Sequence, residues 1–152
     1  MRALTVRQPY ADAIAHGAKP VENRTKPLPP KYAGVSILLH AAKDPHATRI
    51  TATDLAEFTG ADITPWTDTR SAILAQIRFR GSHLSSDDTW CCRPWGQVPT
   101  RIQPVVWHWE IDQVILLNQP VPASGALSFW TPDDAVLTTV QGQIDLIERA
   151  SA

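Results

Sequence analysis

The sequence predicts an α+β fold built on a small barrel or strongly curved sheet. Three observations carry this: four or five short strand-like segments, two or three helix-like ones among them, and thirteen prolines that cut the chain into short pieces. Its 152 residues are most simply one domain spanning residues 1–152, long enough to bury a core without staples.

Ala3-Leu4-Thr5-Val6 reads as a buried strand. Gln8-Pro9 then opens a helix, because proline suits the first turn, where its missing N–H would be unused. Tyr10, Ala13 and Ile14 form its apolar face, and Gly17 ends it. Residues 21–25 read as extended. Three prolines in residues 26–32 exclude helix and interior strand there.

Residues 35–41 are nearly all apolar and predict a strand ending near His40. Residues 45–59 predict a helix with Ile50, Leu55 and Phe58 inward. Residues 61–71 are irregular. From Ile73 to Phe79 the pattern alternates, with Ile73, Ala75, Ile77 and Phe79 on one face and Leu74, Gln76, Arg78 and Arg80 on the other. Residues 82–104 show turn residues and no period. Val105, Trp107, Trp109 and Ile111 then share a strand face opposite His108, Glu110 and Asp112, and residues 114–117 continue it after a bulge. A loop over residues 120–125 leads to a strand at 127–130, and Pro132 opens a last helix from 133 to about 147.

Net charge is −1, which excludes a protein that coats nucleic acid by bulk charge. The mean hides an asymmetry. Residues 1–50 hold eight Lys/Arg against three acids, while the other 102 hold six Arg against twelve acids. This describes either a basic functional face or uneven surface composition. No apolar run approaches the roughly 18 residues needed to span a bilayer, and no signal-peptide core is visible. The two cysteines, Cys91 and Cys92, are adjacent. They lack Cys-x-x-Cys spacing, so no metal site is expected, and two free thiols in a reducing cytoplasm are. No phosphate loop or Ser-His-Asp order is present, and no cofactor is expected.

The densest chemistry lies in Gly17-Ala18-Lys19-Pro20-Val21-Glu22-Asn23-Arg24. A helix end needs only the glycine. Lys19 offers a compact cation for a phosphate oxygen or developing oxyanion, or a base if desolvated. Glu22 can accept from a base edge or activate water. Arg24 can fork onto a phosphate or onto Glu22, since i and i+2 on a strand share a face. An internal Glu22–Arg24 brace explains the same spacing without a ligand.

Residues 3–43 resemble the ASCH domain, the activating signal cointegrator homology family of the PUA-like superfamily. The resemblance rests on Ala3-Leu4-Thr5-Val6-Arg7-Gln8-Pro9, on Gly17-x-Lys19-x-x-Glu22-x-Arg24, and on the glycine-led strand through His40. The stretch from Val121 to Trp130 is also similar to the family's small-residue loop and aromatic strand. Two positions depart: Tyr10 stands where many members have tryptophan, and Lys26 where an aromatic often follows the arginine. The resemblance implies a PUA-like small β-barrel with flanking helices and a motif cleft between the first helix and the barrel.

It also implies a nucleic-acid-binding protein, RNA in preference to DNA, or one that takes a modified nucleoside. The expected binding residues are Arg7, Gln8, Tyr10, Lys19, Glu22, Arg24, Lys26, His40 and Lys43. Some members are ribonucleases, and one bacterial branch hydrolyses an acetylated cytidine. As an enzyme the chain would use Lys19 and Glu22, but that branch carries threonine at the position of Glu22. Glu110 and Asp112 are further acidic candidates. A non-catalytic interaction domain is a third reading.

Other residues carry weaker signals. Arg7 and Gln8 sit where a helix N-terminus favours an anion, although Gln8 serves equally as a cap. His40 reads first as a core or rim histidine. Trp107, Trp109 and Trp130 read as packing. Trp90 and Trp95, flanking Cys91-Cys92-Arg93-Pro94, read as a loop that closes over a base or tucks inward. Arg78 and Arg80 lengthen a basic groove or wet a sheet face, the second being favoured.

Overall fold

The protein, a computed structural model, is described over residues 1–86 and 91–152. Its elements are β1 (Ala3–Val6), α1 (Tyr10–Ala15), β2 (Val21–Arg24), β3 (Ser36–Ala41), α2 (Ala52–Thr59), β4 (Ala72–Leu84), β5 (Trp107–Pro122), β6 (Phe129–Trp130) and α3 (Asp134–Ser151). A single 3₁₀ turn at Pro30–Tyr32 interrupts the proline-rich loop.

The strands form one six-stranded mixed sheet, ordered β2-β5-β4-β3-β1-β6 and curled into a half-barrel. β1 and β3 are parallel, with Ala3 opposite Leu38 and Val6 opposite Ala41. The other pairings are antiparallel. The α+β class expected from the sequence is therefore the one observed.

Two cores explain why the central strands are apolar on both faces. One side packs Leu4, Ile14, Ile37, Leu39, Ile77, Phe79 and Trp109 between α1 and the concave sheet. The other packs Ala3, Leu38, Ile73, Leu117 and Val121 against Val140 and Ile144 of α3. Strict alternation along β4 fails at Leu74. The register slips there against both neighbours, so Leu74 joins Ala75, Ile77 and Phe79 while Ile73 faces α3. A bulge adds one residue and flips every later side chain.

Several expected boundaries move. Helix α2 begins at Ala52, not near 45, because Thr51 and Asp54 form a reciprocal capping box. Gly60, at φ 75°, ends it. Only Leu55 of the predicted inward set is buried, and Phe58 is 76% exposed. Strand β4 runs on to Leu84 and β5 runs unbroken to Pro122, each through bulges. Residues 82–84 and 120–122 are thus strand, where turns were expected. β6 shrinks to two residues, and α3 extends to Ser151 behind its Asp133 cap.

Candidate nucleic-acid site

Gly17, at φ 77°, ends α1 and turns the chain so that Lys19 N bonds back to Ala13 O at 2.9 Å. Lys19 is thereby buried, with 3% of its surface exposed. Its Nζ donates to the Val21 carbonyl and lies 3.3 Å from Glu22 Oε2. The other carboxylate oxygen, Oε1, lies 3.3 Å from Arg24 Nε. Glu22 and Arg24 share a face of β2, and their side chains join Lys19 in one continuous ionic series.

Arg24 also donates to Thr5 O at 3.3 Å and spreads over the Trp109 ring at 5.6 Å. Its Nε faces Glu22 as an ion pair but makes no hydrogen bond among the described residues. Burial lowers the Lys19 pKa, an effect that Glu22 opposes and Arg24 reinforces. Tyr10 lies 5.7 Å from Lys19 Nζ, and burial, then the Glu22 charge, keeps its phenol protonated.

This series forms the floor of an open cleft of about 560 Å³. Arg7, Tyr10, Lys19, Glu22, Arg24, His40 and Lys43 all line it, from β1, α1, β2 and the end of β3. Four of these are cations, set against the carboxylates of Glu22 and Asp44. Sequence reasoning missed Thr5, Asn23, His46, Gln97 and Ser128, which complete the walls. His46 stacks edge-on with Tyr10 at 5.2 Å, and Asn23 clasps the 95–97 segment through Trp95 O and Gln97 N. Thr5, Asn23 and Ser128 lie within the segments that carry the resemblance, whereas His46 and Gln97 arrive from loops that no motif marks.

Two expected site residues do not line the cleft. Gln8 is buried, its amide donating to Thr69 O at 2.8 Å and its oxygen accepting from Asp12 N at 2.9 Å. It caps the start of α1. The N–H groups of Ala11 and Ala13 at this helix start are taken by Arg7 O and Pro9 O. Lys26 stands on the loop beyond β2, and its carbonyl accepts from Trp109 Nε1 at 2.9 Å.

His40 lines the cleft but offers no free nitrogen. Its Nε2 donates to Ala123 O at 2.8 Å, so Nδ1 accepts from the Thr5 hydroxyl at 3.1 Å, which itself accepts from Trp130 Nε1. Burial lowers its pKa, keeping it neutral. Gly125 passes so close that a Cβ there would meet His40 Cε1 at 2.3 Å and Nδ1 at 2.6 Å.

The remaining candidates settle into structural roles. Arg78 pairs with Asp112 through two hydrogen bonds of 2.9 and 3.1 Å, and Arg80 pairs with Glu110. These cross-strand pairs occupy both arginines and both acidic candidates away from the cleft. Trp95 is buried beside Ala13, Val21 and Leu55, so it tucks inward; Trp90 lies outside the described residues. The expectation that no metal-ligand set exists overlooked one cluster. His83, Cys91, Cys92 and His108 bring four ligand atoms within 4.8 Å of one another.

The family profile of the ASCH domain matches residues 4–106, two thirds of the chain. The chain belongs to the ASCH domain family. No curated protein sequence matches it. Among solved structures it is similar to an ASCH protein from Zymomonas mobilis, at 11% identity and TM-score 0.56 over 93% of both chains. A tyrosine-to-phenylalanine mutant of that protein aligns at 12% identity and TM-score 0.56, over 93% of this chain and 96% of the other. A serine-to-alanine mutant aligns at 11% and 0.55, over 93% and 94%. These likenesses concern the fold alone.

Proposed function

We propose that the protein binds single-stranded nucleic acid, RNA in preference to DNA, by taking one unstacked nucleotide into the Lys19–Glu22–Arg24 cleft. The carrying observation is that a buried ionic series forms the floor of open space. An internal brace has no need of a cleft above it. The volume lies within the range of about 300–1,000 Å³ typical of small-ligand sites, which suits one nucleotide and excludes a duplex.

The roles follow from chemistry. Arg7 and Lys43 at the rim contact phosphate, and Lys43 has no ion pair among the described residues. The part-exposed Arg24 guanidinium, which lines the cleft, takes an incoming acceptor oxygen. Glu22 accepts from an exocyclic amine, and Tyr10 supplies a ring edge. Fluorescence anisotropy with short single-stranded RNA and DNA, at low and moderate salt, tests the reading. Binding that weakens with salt and is lost in Lys43→Glu supports it. Undetectable binding to either at low salt ends it.

A second reading, hydrolysis of RNA or of a modified nucleoside, draws on a buried amine beside a carboxylate at the cleft floor, where burial lowers the Lys19 pKa. Lys19 then assists attack and Glu22 activates water. Turnover of RNA or acetylated cytidine by the wild type, absent in Lys19→Ala, is the expected result. Turnover no greater than in that variant excludes it.

A further inference from the structure

We propose that His83, Cys91, Cys92 and His108 form a closed, tetrahedral zinc-class metal site that fastens the 91–97 segment to the end of the β4–β5 ribbon. His83 and His108 are direct cross-strand partners on β4 and β5. Cys91 and Cys92 come from the connection between those strands. In an extended chain, neighbouring side chains point to opposite sides. Cys92 instead adopts φ 62°, and both sulfurs reach the same histidine.

Four of the six separations among the ligand atoms are those of a coordination shell, and all six lie within 4.8 Å. Zinc bonds of about 2.3 Å to sulfur and about 2.05 Å to nitrogen require tetrahedral N···S edges of about 3.5 Å and N···N edges of about 3.3 Å. Cys91 Sγ lies 3.5 Å from both His83 Nε2 and His108 Nδ1, and Cys92 Sγ lies 3.5 Å from His83 Nε2. The two ring nitrogens are 3.2 Å apart.

The outer contacts aim the lone pairs inward. His83 Nδ1 lies 2.8 Å from the Glu110 carboxylate, which can only accept. His108 Nε2 lies 2.7 Å from Gln97 O, again only an acceptor. As neutral imidazoles, the two rings spend their protons outward, leaving two bare nitrogens facing each other. That arrangement calls for a cation between them. Carboxylate and carbonyl partners of this kind are the usual outer supports of zinc-bound histidine.

Sulfur and imidazole donors in tetrahedral array select zinc among common divalent ions. Four protein ligands leave no open position, so the role is structural. On binding, both thiol protons leave to solvent and two thiolates neutralise the dication. Gly96 permits the closure: a Cβ there would lie 2.7 Å from Cys91 O, Cys92 Cβ and His108 Cε1 alike. Because Gln97 both accepts from His108 and lines the nucleotide cleft, the metal also fixes one cleft wall.

Titration of the metal-depleted, reduced full chain with cobalt(II) tests the site. The expected result is one ion per chain, thiolate-to-cobalt charge-transfer absorption, intense tetrahedral d–d bands, and displacement of all three signals by zinc. Glu110→Gln, which leaves every ligand in place, weakens zinc affinity at least about tenfold. A wild-type spectrum identical to aqueous cobalt overturns the proposal, and so does an unchanged tetrahedral spectrum in the Cys91→Ser, Cys92→Ser double variant. The wild-type titration stands alone if that variant fails to fold.

Discussion

Lys19, Glu22 and Arg24 concentrate the electrostatic cost of the site. Lys19 is 3% exposed and the Glu22 side chain 11%, so each depends on the other for compensation. Removing one partner of a buried pair leaves the other's desolvation unbalanced, at about 3–5 kcal/mol. Glu22→Gln is expected to lower stability by about 3 kcal/mol in urea denaturation. Lys19→Met costs distinctly less, because Glu22 retains Arg24. If the cleft binds nucleic acid, both variants also lose affinity; a pure brace would lose stability alone. The sequence displayed this triplet through its spacing, but it could not show whether the charges faced each other, solvent or a ligand.

His40 carries a pH signature. Its pKa is lowered in the fold, so the unfolded chain binds a proton first as pH falls below its ordinary value of about 6.5. Its contribution is thus complete above that value and is lost on acidification, with a slope of at most about 1.4 kcal/mol per pH unit. Urea midpoints at about pH 7.5 and about pH 5 should diverge in the wild type, and diverge less in His40→Gln. Gly125→Ala drives a methyl into that buried ring and is expected to cost about 1–3 kcal/mol.

At the level of elements, apolar patterning located β1, β3 and the cores of β4 and β5, because burial of one face writes itself into the sequence. It anticipated the irregularity after Ile111 in β5 but missed the bulge at Leu74 in β4. Leu74 is an apolar residue on either register, and only pairing with β3 and β5 decides which core receives it. Helix α2 shows the opposite lesson. Its Thr51-x-x-Asp54 cap was a local signal that outranks the weak apolar pattern before it. Thr51→Ala is expected to cost about 1 kcal/mol, read from thermal unfolding, and to leave nucleic-acid binding unchanged, since α2 lies outside the cleft.

At the scale of the whole molecule, net charge of −1 coexists with a cationic cleft because the acids concentrate elsewhere. Two of those acids, Asp112 and Glu110, neutralise arginines on the β4–β5 ribbon. On the proposed function, binding through so local a patch would engage few phosphates. The slope of log affinity against log salt is expected near −0.7 per phosphate, totalling about −1 to −2 for single strands. A steeper slope would mean that the ligand tracks beyond the cleft.

The sequence by itself determined the α+β class, most strand and helix sites, and the spacing of Lys19, Glu22 and Arg24, because each is written in neighbours along the chain. Tertiary structure decided which residues meet across it. It removed Gln8 and Lys26 from the cleft, closed both nitrogens of His40, and brought His46 and Gln97 to the walls. It also assembled two histidines and two cysteines that no spacing rule joins. The reason is geometric: a bulged, twisted sheet places residues 25 positions apart side by side, as His83 and His108 are, and linear pattern carries no record of that approach.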